Sequence, residues 1–302
     1  MTTVNTSAKE RMPVRKAVIP AAGLGTRMLP VSHAIPKELL PIMDLPALYY
    51  LVKEAADSGI TDVLVITGRE KNAMEEFFDY SPEYDAHLLA KGKEKEVRML
   101  HDICDICNVY FIRQKEPKGL GHAILRAKTF VGNEPFAVLY GDDVIFSKTP
   151  VVRQLIDSYE AYGRAAVGVK EVSKADLCRY CSLKAEKIEG GHDEYFVDDM
   201  IEKPKPGQEF SNLSILGRVL LTPEIFGILE QTAPGAGGEI QLTDAMATLA
   251  RTRGVTARLF EGERYDIGSK LGFAKANFVK ALEHPEVAKE FEAFVRDYLN
   301  DH

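Results

Sequence analysis

The chain has 302 residues, 27% of them charged and 45% in the hydrophobic set, which excludes a disordered or fibrous chain and allows one large α/β domain with ample core. A formal net charge of -7 excludes a general affinity for nucleic-acid polymers, so cations that handle a nucleotide must be gathered locally. No apolar run approaches the roughly 20 residues that span a bilayer, and the first dozen residues lack an apolar signal core, so no membrane partner and a cytoplasmic chain are expected, with a flexible tail over 1–13 and a single domain over 14–302.

The first predicted element is a buried strand, Ala17 to Pro20. A loop of small residues follows, Ala21, Ala22, Gly23, Leu24 and Gly25, whose backbone N–H groups can approach an anion closely. Two cations come next, Arg27 and Lys37, a guanidinium that forks two oxygens and a mobile ammonium. Together these suit a polyphosphate; the plainer reading is a tight turn with incidental surface cations. Met28 stands where a dinucleotide-binding G-x-G-x-x-G would place its third glycine, and there is no G-x-x-x-x-G-K-[ST] P-loop. Pro30, Pro36, Pro41 and Pro46 exclude a regular helix before position 47.

Leu48 to Ser58 reads as a helix stopped by Gly59, and Asp62 to Thr67 as a second strand. Asn72 to Phe78 and Glu83 to Ile106 read as helices, the second with a solvated charge run from Lys91 to Arg98. Val109 to Ile112 and Phe136 to Tyr140 are further strands. Strands alternating with helices predict a Rossmann-like α/β fold, a mixed but mostly parallel sheet with helices on both faces and ligands beyond the carboxyl ends of the strands. From Gly163 short strands predominate, Arg164 to Val172, Tyr180 to Ile188, Tyr195 to Glu202 and Ile215 to Leu221. Helices follow over Gln241 to Arg253, Ser269 to Leu282 and Val287 to Leu299. With no Gly/Ser linker, the expectation is one domain of two lobes, about 14–162 and a smaller β-rich lobe with C-terminal helices over about 163–302.

Several motifs sit at strand ends. Gln114, in R-Q-K-E-P-K-G-L-G-H-A, offers both a donor and an acceptor, as reading a pyrimidine edge requires, and Gly119 and Gly121 permit close backbone contact. His122 is assigned a structural role. Asp142 and Asp143 end an apolar strand, where hard carboxylate oxygens suit Mg²⁺ and phosphate; an Asp-rich turn is the alternative. Glu202 and Lys203 close a strand before Pro204. Asp266 precedes a Ser-capped helix, as a metal ligand or as part of the cap. The cysteines form two C-x-x-C pairs, Cys104/Cys107 and Cys178/Cys181, too far apart in sequence for a zinc ribbon and expected as free, buried thiols.

G-L-G-T-R followed by P-K-E is similar to the signature of the sugar-phosphate nucleotidylyltransferases, and P-K-E-L-L-P resembles the bacterial UTP–glucose-1-phosphate uridylyltransferases. The resemblance runs from about Val14 to the C-terminal helices. It implies a Mg²⁺-dependent transfer of UMP from UTP to glucose 1-phosphate, giving UDP-glucose and pyrophosphate. It implies nucleotide contacts from Ala21, Ala22, Gly23, Glu38, Gln114, Gly119 and Asp142, and sugar contacts from Asp143, Glu202, Lys203 and Gly217. Arg27, Lys37 and Lys203 would be catalytic, and Asp142 with Asp266 would hold the metal. Gln241 to Asp244 would line the sugar end or simply start a helix. A homodimer or homotetramer is expected by the same analogy. Two positions depart from the pattern: Cys181 stands where relatives carry Gly after Tyr, and Tyr140-Gly141 where they often carry Leu-Pro. The alternatives are a sibling transferase using dTTP or another sugar 1-phosphate, and a catalytically quiet paralogue.

Overall fold

In the computed structural model, which describes residues 11–69, 71–191 and 193–301, the apolar runs of the first half form the parallel part of one sheet. Most of the tail expected over 1–13 lies outside the described residues; Arg11, within it, donates from Nη1 to the Tyr159 carbonyl at 2.8 Å.

The chain opens with β1 (Lys16–Ala21) and the short pair β2 (Pro41–Ile42) and β3 (Leu45–Pro46), then α1 (Ala47–Asp57), β4 (Asp62–Thr67) and α2 (Ala73–Glu76). Next come α3 (Pro82–Leu89), α4 (Glu94–Cys104), β5 (Asn108–Arg113), α5 (Leu120–Leu125), α6 (Lys128–Val131), β6 (Phe136–Leu139), β7 (Asp143–Phe146) and α7 (Val151–Tyr162). The second half holds β8 (Ala165–Glu171), β9 (Cys181–Lys187), β10 (Glu194–Glu202), β11 (Leu213–Leu221), α8 (Glu224–Leu229), α9 (Leu242–Arg253), β12 (Val255–Leu259), β13 (Glu263–Asp266), α10 (Lys270–Glu283) and α11 (Ala288–Asp301).

Nine strands make one sheet in the order β5-β4-β1-β6-β11-β8-β12-β10-β9. All run in one direction except β11 and β10. Side chains alternate across β1. Val18 joins an apolar layer with Ile124 of α5, Phe226 of α8 and Met246 of α9. Ala17 and Ile19 join the opposite layer, with Leu48 and Leu51 of α1 and Leu155 of α7. Each such fully buried leucine or isoleucine contributes roughly 1.5–3 kcal/mol, so both faces hold the sheet. The architecture is the expected α/β one, and both halves of the chain contribute strands to this single sheet.

The long helix expected over 83–106 is two helices. Gly92 adopts φ +69°, a left-handed conformation that ends the first, and the second restarts at Glu94. The charge run from Lys91 is exposed except around Val97, as a solvated face requires. Helix α7 and strands β7, β12 and β13 are additions to the elements read from sequence. Strand β13, E-R-Y-D, has no apolar alternation and is held as a strand only by its antiparallel partner β7.

Candidate active site

Strands β1, β4, β5 and β6 end together, and the glycine turn, Gln114 and Asp142 follow the ends of β1, β5 and β6. Ala21 is the last residue of β1 rather than part of the loop. The turn after it passes through Gly25 at φ +65° into a single helical turn, Thr26–Met28, that points Arg27 across the strand ends. Arg27 Nη1 donates to Asp266 Oδ2 at 2.7 Å, and its Nη2 donates to Asp142 Oδ2 and to Asp266 Oδ1, both at 3.2 Å. Lys37 Nζ donates to Asp142 Oδ2 at 2.9 Å. Burial alone would raise the Asp142 carboxyl; Lys37 and Arg27 outweigh it and hold the group below the usual range. The hydrogen bond to Asp266 in turn raises Arg27.

The β7–β13 ladder explains how acids so distant in sequence meet. It sets Asp143 directly opposite Asp266, and Ile267 N donates to Asp142 O at 2.9 Å. Gly268 comes next, and an added Cβ there would stand 2.6 Å from Arg27 Nη2, so a side chain at 268 would displace the guanidinium from the two acids.

Asp143 turns the other way, into the interior. It accepts from Arg264 Nε at 2.7 Å and lies 2.5 Å from Arg264 Nη2. Burial pushes its carboxyl up to about 6 even with this guanidinium against it. Gly217 makes this fit possible: it lies at φ +77° where the β11–β8 register shifts, and an added Cβ would stand 2.6 Å from Asp143 Cβ. Arg264 Nη1 also donates to Tyr180 Oη at 3.1 Å. Glu202 Oε2 accepts from Thr243 Oγ1 at 2.7 Å. Lys203 takes φ +46°, strained for a residue with a side chain, and its N–H donates to Tyr180 O at 2.8 Å. Its ammonium is half exposed and 3.8 Å from Glu202 Oε1. A cavity of about 880 Å³ is walled by Arg27, Asp142, Asp143, Glu202, Lys203 and Asp266 among others.

The remaining predicted residues are not part of this cavity's wall. Gln114 is buried; its Nε2 donates to Gly119 O at 3.3 Å and lies 2.8 Å from His122 Nδ1. Gly119, at φ +98°, and Gly121 press against the 239–240 backbone: added Cβ atoms would stand 2.7 Å from Glu239 Cβ and 2.8 Å from Ile240 O respectively. Gly121 N donates to Ile240 O at 2.8 Å and Ile240 N to Lys118 O at 2.9 Å. The glycines therefore dock the segment that carries Gln241 to Asp244. Glu38 is fully buried and paired at 2.9 Å with Lys71, which also holds the carbonyls of Ala21 and Gly23.

The departures have local reasons. An added Cβ at Gly141 would stand 2.7 Å from Pro20 O, so the chain needs glycine where it crosses the end of β1. Cys181 is buried, its carbonyl accepts from Ser214 Oγ at 2.6 Å, and burial pushes its thiol to about 12. Of the four cysteines expected to be buried, only Cys181 is: Cys178 is exposed on the short turn before β9, and Cys104 and Cys107, at and just past the end of α4, are half-buried. Among the described residues no group of three or more His, Cys, Asp or Glu is placed to hold a metal ion, and no helix is long and apolar enough to cross a membrane.

Comparison with known proteins bears on this geometry. The nucleotidyl transferase family model matches residues 16–281. The chain is 48% identical to the UTP–glucose-1-phosphate uridylyltransferase YngB of Bacillus subtilis over 96% of its length and 97% of that protein. A crystal structure of UDP-glucose pyrophosphorylase complexed with UDP-glucose superimposes with a TM-score of 0.82 at 38% identity, covering 90% of this chain and all of that one. A UTP-bound structure from Acinetobacter baumannii gives 0.84 at 36% identity, over 94% of this chain and 99% of that one. The chain belongs to the bacterial UTP–glucose-1-phosphate uridylyltransferases. For a uridylyltransferase, sequence reading missed Lys71, Arg264 and Gly268 beside the predicted site residues, whereas Thr243 lies in the stretch 241–244 expected at the sugar end. Arg264 and Gly268 flank Asp266 in R-Y-D-I-G and could have been found by asking what surrounds that acid. Lys71 carries no local signal.

Proposed function

We propose that this uridylyltransferase transfers UMP from UTP to glucose 1-phosphate, releasing pyrophosphate and UDP-glucose. The observation that carries the reading is the meeting of Arg27, Lys37, Asp142 and Asp266 beside a cavity that Glu202 and Lys203 also line. A nonbridging oxygen of the sugar phosphate attacks the α-phosphorus as the bond to pyrophosphate breaks. The nucleophile is already an anion near neutral pH, so alignment and relief of charge repulsion matter more than a general base. Lys203 aims the sugar phosphate, while Glu202, steadied by Thr243, accepts from sugar hydroxyls. Asp143 supports that end through Arg264, beside Gly217. Lys37 meets the α- and β-phosphates and Arg27 the departing pyrophosphate. The nucleotide itself lies on Ala21, Ala22 and Gly23, its base read by Gln114 and Gly119 beside Glu38.

The acids fit a hard divalent ion. One nitrogen, Arg27 Nη2, lies 3.2 Å from an oxygen of Asp142 and from one of Asp266, so a single cation reaches both, and carboxylate oxygens suit Mg²⁺. When bound, Mg²⁺ would offset charge on the phosphates. A cytoplasmic homodimer or homotetramer, each subunit one domain of two lobes, completes the proposal.

The test is pyrophosphate release from a panel of nucleoside triphosphates and sugar 1-phosphates. UTP with glucose 1-phosphate should be the preferred pair. Preference for dTTP would reassign the enzyme to a sibling activity, and no turnover with any pair would make it a quiet paralogue.

A further inference from the structure

The buried ammonium of Lys71 has three oxygen acceptors: Ala21 O at 2.6 Å, Gly23 O at 2.9 Å and Glu38 Oε2 at 2.9 Å. Its side chain is 11% exposed, Glu38 is not exposed at all, and Glu38 Oε1 is buried without a hydrogen-bond partner. The three acceptors come from the two ends of the segment between the glycine turn and P-K-E. Lys71 lies beyond β4, near Gly68, where an added Cβ would approach Ala22 O to 3.1 Å.

The geometry of the peptide unit gives this contact a consequence. In a trans peptide the C=O and the following N–H point in opposite directions. Drawing Ala21 O and Gly23 O toward Lys71 therefore turns the N–H groups of Ala22 and Leu24 to the opposite side. Among the described residues the N–H groups of Ala22, Gly23 and Leu24 make no hydrogen bond. Successive unpaired N–H groups on one side of a turn form a concave anion site. A cation behind the turn also offsets the carbonyl dipoles that would otherwise repel an anion in front of it.

We propose that Lys71 is a positioning residue of the nucleotide site: it holds the carbonyls of the glycine turn and Glu38 in one arrangement, so that the turn presents its N–H groups to the triphosphate. Lys71 touches no substrate, and the effect is confined to the nucleotide half. The inference rests on the reading of this turn as the UTP site.

The experiment measures steady-state kinetics of Lys71→Met, varying UTP and glucose 1-phosphate separately. The expected result is a rise of about tenfold or more in KM for UTP, the scale of one or two lost charge-assisted hydrogen bonds, with KM for glucose 1-phosphate within about twofold. If Lys71→Met does not fold, Lys71→Arg replaces it; a planar fork cannot serve three acceptors in the same place, so KM for UTP should again rise alone. An unchanged KM for UTP, or equal rises for both substrates, overturns the inference. Failure of the wild-type enzyme to use UTP would instead overturn the assignment of the site.

Discussion

Lys203 shows how a residue's chemistry and its backbone are set together. Its left-handed φ is costly without glycine, on the order of 1–3 kcal/mol, and persists because Tyr180 O takes its N–H and Pro204 follows. The strain turns the ammonium into the cavity beside Glu202, so Lys203→Ala should lower kcat by about 10²-fold and leave UTP affinity unchanged by calorimetry. Loss of UTP affinity in that variant would move Lys203 to the nucleotide end. The cysteines make a second expectation at this scale. Burial pushes Cys107 to about 11 and Cys181 to about 12, so both remain protonated thiols at pH 8, while Cys178 is exposed. Titration with a thiol reagent at pH 8 should find one fast group in the folded enzyme and four after denaturation. A metal released by the reagent would revive the zinc reading.

At the scale of elements, helix α1 and strand β11 are joined by a buried ion pair. Arg218 Nε donates to Glu54 Oε1 at 2.9 Å and Nη2 to Glu54 Oε2 at 2.7 Å, and Val152 N of α7 donates to Glu54 Oε1 at 3.2 Å. Arg218→Met should destabilise the enzyme by about 3–5 kcal/mol in urea unfolding, because it strands the Glu54 carboxylate in the core; Arg218→Met/Glu54→Gln should recover part of that loss. This pair was invisible in the sequence, where Arg218 was only the neighbour of Gly217. Gly119 belongs to the same scale. The resemblance implies it as a nucleotide contact, and its place is also fixed by the docking of residues 239–240, which are far away in sequence. Sequence spacing exposes a glycine but not the backbone that approaches it.

For the whole molecule, the continuous sheet makes a thermodynamic prediction. Strand β11 pairs with β6 of the first lobe and β8 of the second, so neither lobe can unfold and leave the other's sheet intact. Scanning calorimetry should show one cooperative transition, raised by UTP through mass action. Two separate transitions would divide the chain into independent domains. Removal of divalent metal by a chelator should abolish pyrophosphate release, with recovery on adding Mg²⁺.

What the linear chain determined by itself is everything carried by local pattern. The strands β1, β4, β5 and β6, the phosphate-suited turn, the acids that follow β6 and the E-K-P strand end all follow from apolar runs, small residues and charge at their boundaries. Tertiary structure alone decided which of these meet. The β7–β13 ladder brought Asp266 to Asp142, the reversed strand β11 carried Gly217 against Asp143, and Lys71 reached back to the glycine turn. Such pairings depend on strand partnership and close packing between segments far apart in the chain, and no periodicity within a single segment encodes them.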